Sequence, residues 1–90
     1  MKTKTAETLI KQLKQAQRMG RNILTISGLE QQGVVYAFAT QDTLVINCKD
    51  HETAWRFDEG QVELWQAIAD LSSSTRRILI EMKGKLFFEF

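Results

Sequence analysis

The amino-acid sequence predicts an α+β fold, with one mainly antiparallel sheet of five or six strands packed against two amphipathic helices in the order α-β-β-β-β-α-β-β. Three observations predict it. Apolar residues alternate with a period of two from Val34 to Phe57 and again from Arg77 to Phe90. Apolar residues recur at helical spacing before and between those stretches, and the absence of proline favours short connections. Ninety residues suffice for one core and no more, so residues 1–90 are read as a single domain.

Thr5 to Met19 reads as the first helix, because Ala6, Leu9, Ile10, Leu13 and Ala16 draw one apolar stripe that should dock on the sheet. Thr3 or Thr5 can cap its start, and Gly20 sits where a helix-ending C′ residue belongs. Arg21 to Leu29 then reads as a strand, with Leu24 and Ile26 as core positions. Three further strands, 33–40, 43–49 and 53–58, complete a meander whose turns fall at Gln41-Asp42 and Asp50-His51. Within it Val34, Tyr36 and Phe38 share one face, Leu44, Ile46 and Cys48 another run, and Trp55 and Phe57 a third.

Asp58 to Leu71 is the expected second helix, capped by Asp58 with Gln61 three residues on, and buried through Leu64, Trp65, Ile68 and Leu71. Its Glu63, Gln66 and Asp70 make an acidic outer ridge. Arg77–Met82 and Lys85–Phe90 close the chain as a hairpin about Lys83-Gly84. The apolar character of both sheet faces, with Val35, Ala37, Val45, Leu79 and Phe87 added to the first set, implies that helices flank both faces or that a partner covers one.

The net charge of +1 conceals a polarity along the chain. Residues 1–22 hold six cations and one acid, whereas residues 23–72 hold two cations and eight acids. At 100° per residue Lys4, Lys11, Lys14 and Arg18 fall within a sector about 80° wide beside the apolar stripe. This basic ridge is either a solvated helix face or a contact for phosphate or an acidic surface.

Little in the sequence points to catalysis. No phosphate-cradling glycine loop, nucleophile elbow or paired-histidine metal motif is present, and the carboxylates of the 52–63 stretch read as solvated. Cys48 and His51 form one C-x-x-H without a second pair, which is weak for zinc; no cofactor or metal is expected. A lone cysteine and the lack of any apolar run near 18 residues suggest a cytoplasmic protein without a membrane span. The leading reading is a small non-enzymatic module that binds another protein through a sheet face or edge and forms a homodimer. The alternative is a nucleic-acid-binding protein that uses Lys4, Lys11, Lys14 and Arg18.

Overall fold

A computed structural model describes the backbone of residues 2–90 and the side chains from Ala6 onward. The chain runs α1 (Lys2–Ser27), β1 (Val34–Ala39), β2 (Thr43–Cys48), α2 (His51–Glu59), α3 (Gln61–Asp70), β3 (Arg77–Met82) and β4 (Lys85–Glu89). One four-stranded sheet has the order β1-β2-β3-β4. Its outer pairs are antiparallel and its central pair, β2 with β3, is parallel. A parallel pair needs a crossover connection, and α2 and α3 supply it.

The fold is α+β as expected, but the sheet has four strands rather than five or six, and two expected strands are helical. The 21–29 segment is the last part of α1. Its β-branched residues suggested a strand, yet Gly20, Ile23, Leu24 and Ser27 continue the 3.6-residue stripe begun by Leu13 and Ala16. Gly20 does not end the helix. It is buried in the middle of it, and a Cβ at that position would lie 2.6 Å from the Ala37 carbonyl oxygen of β1. The glycine lets helix and strand backbones approach, and the helix ends instead at Ser27 before Gly28, whose φ of 74° suits a residue without Cβ.

The expected 53–58 strand is α2. Asp50 caps it, its carboxylate accepting from the Thr53 backbone N–H at 2.9 Å and from the Thr53 hydroxyl at 2.6 Å. Thr53, Ala54 and Phe57 are buried at i, i+1 and i+4, a helical and not an alternating pattern. Gly60 then separates α2 from α3, so the single helix expected over 58–71 is the end of one helix and the whole of another. Asp58 sits inside α2, where its side chain accepts from Gln61 Nε2 at 3.0 Å.

The core occupies one face of the sheet. Ala37, Ala39, Leu44, Ile46, Cys48, Ile78 and Ile80 are paired in register across β1, β2 and β3 and join Ile23, Leu24, Ala54, Phe57, Leu64, Ala67 and Ile68 of the helices. In β1 the core-facing residues are therefore the small Ala37 and Ala39 beneath α1, not Tyr36 and Phe38. The terminal hairpin is as expected, with Lys83 and Gly84 both at positive φ, 55° and 78°, the geometry of a type I′ turn. A bulge opposite Ile80 and Glu81 breaks the alternation of β4, so Phe88 pairs with Ile80 while Leu86 pairs with Glu81 on the other face.

Candidate functional site

The face of the sheet turned away from the core carries a coherent set of side chains. Phe38, Val45 and Leu79 stand in register across β1, β2 and β3, all partly exposed and none part of the core cluster. Tyr36, Asn47 and Glu81 form the next row toward the β3–β4 turn. Asn47 Nδ2 donates to the Tyr36 hydroxyl at 3.2 Å, which donates to Glu81 Oε1 at 3.3 Å. Leu86 lies beyond Glu81 and is 55% exposed. On the opposite flank Arg77 Nη1 meets Glu89 Oε2 at 3.8 Å. An apolar centre with hydrogen-bonded polar borders has the composition of an interface core and rim.

β4 is the last strand of the sheet, and its bulge directs aromatic groups toward α2. Phe87 lies 5.1 Å from the His51 ring, Phe88 lies 4.8 Å from Phe87, and Trp55 meets Phe88 edge-on at 5.5 Å. Trp55 remains half exposed, so this aromatic cluster borders the strand edge instead of filling the core.

The basic ridge divides. Lys14 and Arg18 line a cleft of about 450 Å³ together with Arg21, Gln17, Val35, Tyr36 and Ala37, where α1 passes β1. Arg21 also donates to Gln31 Oε1 at 3.0 Å, which fixes it against the following loop. Lys11 is exposed on α1 but does not line this cleft. The side chain of Lys4 lies outside the described residues. Arg21 and Tyr36 lie outside the ridge that the sequence predicts, because that ridge stands on a helix ending at Met19.

The N-terminal half of α1 corrects a second expectation. Its stripe does not dock: Leu9, Ile10 and Leu13 are 55, 50 and 56% exposed. From Gly20 onward the same stripe is buried. We call residues 6–19 the arm. Along its side a wider cleft of about 700 Å³ opens between Gln12, Gln15, Ala16 and Met19 of α1, Ala39 to Gln41 of the β1–β2 turn, and Leu71 to Ser74 after α3.

Cys48 is fully buried, and burial followed by the nearby Asp50 charge pushes its thiol up to about 11. It stays protonated near neutral pH and is a packing residue. Among the described residues no group of three His, Cys, Asp or Glu side chains is placed to hold a metal ion, and no helix is long and apolar enough to cross a membrane. No family model matches the chain, and neither the curated proteins nor the solved structures contain a significant match to it.

Proposed function

We propose that this chain is a small, non-enzymatic, cytoplasmic protein-binding module, an adaptor, regulator or inhibitor, working through the open face of its sheet and the neighbouring β4 edge. The observation that carries this reading is the row Phe38, Val45 and Leu79, held rigidly in strands, left outside the core, and bordered by the Tyr36–Asn47–Glu81 hydrogen bonds. Strand-borne side chains lose little freedom on binding, and an apolar centre bordered by satisfied polar groups can be buried by a partner without stranding a donor. Leu86 extends the open face toward β4, and Trp55 and Phe87 stand exposed on the helix side of that edge strand, where aromatic side chains contribute large contact area.

Affinity capture from extracts of the native host tests this. Phe38→Gln combined with Leu79→Gln should leave the far-UV spectrum unchanged, since both side chains are only partly buried, and should abolish retention of a discrete protein partner. The triple variant Lys11→Gln, Lys14→Gln, Arg18→Gln should retain that partner. A second reading, nucleic-acid binding, is favoured by one observation, the convergence of Lys14, Arg18 and Arg21 beside Tyr36. It replaces the first if the unaltered protein binds nucleic acid tightly and the triple variant loses that binding, with a salt slope smaller by roughly 2–3.

A further inference from the structure

We infer that the arm of α1 is a self-association element, its Leu9–Ile10–Leu13 stripe seated in the cleft at the base of the arm of a second copy of this chain. The stripe is continuous with the helix's own docked face. Leu9, Leu13, Ala16, Gly20 and Ile23 follow one another at spacings of 4, 3, 4 and 3, the seam of a helix that packs along its whole length. Among the described residues the stripe is fully buried only from Gly20 onward, at Gly20, Ile23 and Leu24. The missing surface must therefore continue the body's packing at the point where the arm departs.

The cleft lies at that point. Gln12, Gln15, Ala16 and Met19 of the arm form one wall, while Ala39, Gln41, Leu71 and Ser73 form the other, so the seated stripe meets both amide and apolar groups. Its volume of about 700 Å³ accommodates several large side chains. A two-fold exchange fills both requirements with the same contact made twice.

Area and charge agree with this occupant. At 1.5 Å per residue the 14-residue arm is about 20 Å long, and covering half of its circumference removes on the order of 400 Å² from water. Counting the opposing wall and the symmetric contact, the exchange buries on the order of 1,600 Å², the size of a stable interface. The arm carries Lys11, Lys14 and Arg18 against Glu7, whereas residues 23–72 carry eight acids against two cations. Asp42 and Asp70 are exposed and adjoin in sequence the cleft residues Gln41 and Leu71, and the exposed Arg76 follows two residues after Ser74. The polarity along the chain thus becomes attraction between copies.

Sedimentation equilibrium of the full chain at tens of micromolar tests the inference, which is independent of the sheet-face reading. The unaltered protein should have twice the 10.4 kDa chain mass. Leu9→Gln with Leu13→Gln should give the monomer mass with an unchanged far-UV spectrum. Gln41→Arg, which adds bulk and a like charge to the cleft, should raise the dissociation constant about tenfold. Labelled arm variant should associate more strongly with the cleft variant than with itself, because the mixed pair keeps one intact arm on one intact cleft. Monomer mass for the unaltered protein, or association undisturbed by the arm variant, overturns the inference. Failure of the mixed pair to recover indicates arm-to-arm pairing and also overturns it. So does a monomer that instead sediments with phosphatidylglycerol vesicles through the same arm, since a basic amphipathic helix of this kind can also meet an anionic lipid surface.

Discussion

Residues 20–27 of α1 bury Ile23 and Leu24 completely, whereas residues 6–19 of the same unbroken helix leave Leu9, Ile10 and Leu13 at least half exposed. Both halves carry the same apolar spacing. The difference lies in what stands opposite: the small residues Gly20 and Ala37 let the second half approach the backbone of β1, whereas open clefts separate residues 12–19 of the first half from β1 and the segment after α3. An isolated helix of this length is marginal in water, but the docked half supplies the nucleus and the arm's Ala, Leu, Lys and Gln residues propagate it. An amphipathic stripe therefore states that a face will be covered. It does not state by which molecule.

The largest contrast should appear in core truncations on either side of Gly20. Ile23→Ala or Leu24→Ala should cost about 2–5 kcal/mol in denaturant unfolding, as should Ile46→Ala and Ile80→Ala, all fully buried. Leu13→Ala, measured at a concentration low enough to keep the chain monomeric, should change stability by under about 1 kcal/mol. Equal losses at residues 13 and 23 would erase the distinction between the halves.

A smaller effect sharpens the reason for the contrast. In an exposed helix Gly→Ala stabilises by about 1 kcal/mol. Gly20→Ala should instead destabilise by about 1–3 kcal/mol, because the added methyl would lie within 3 Å of three backbone atoms of Ala37 and Phe38. A stabilised variant would show that α1 does not rest on β1 at that point.

The smallest effect concerns the helix that the alternating aromatics disguised. Hydrogen bonds from the Thr53 hydroxyl and backbone N–H hold the Asp50 carboxyl below the usual carboxylate range. A depressed folded-state value contributes stability above the unfolded carboxylate pKa of about 3.9, and this is lost as the pH falls through the lower folded value. Asp50→Asn keeps an acceptor but no charge, so its melting temperature should fall below that of the unaltered protein at pH 7, with the gap closing below about pH 4. A gap independent of pH would assign the cap to geometry alone.

The strands that the sequence predicts and the structure contains, 34–39, 43–48 and the 77–89 hairpin, are those whose alternation is bounded by turn chemistry on both sides. The two segments that fold as helix and not strand, 21–29 and 53–58, do so for different reasons. Trp55 and Phe57 alternate over too few residues to separate a strand from a helix, and Asp50 with Thr53 three residues later was a capping signal read as a turn. Gly20 has the local signature of a terminator, because its partner, the Ala37 carbonyl, is 17 residues away and leaves no local signal. The same long-range contact decided the basic ridge. Lys14 and Arg18 were legible as neighbours on a helix face, but their meeting with Arg21 and Tyr36 required α1 to continue past residue 20 alongside β1.

Amide hydrogen exchange along α1 at several protein concentrations tests most directly the claim that one helix is docked in one half and awaits a second copy in the other. At submicromolar concentration the amides of residues 10–17 should exchange near the rate of a fraying helix while those of residues 22–27 share the protection of the core. On raising the concentration to 100 µM or so, protection of residues 10–17 should climb toward that of 22–27, whose own protection rises less. Uniform protection of the whole helix at every concentration would mean that the arm packs on its own body. Rapid exchange of residues 10–17 at every concentration would mean that no second copy covers it.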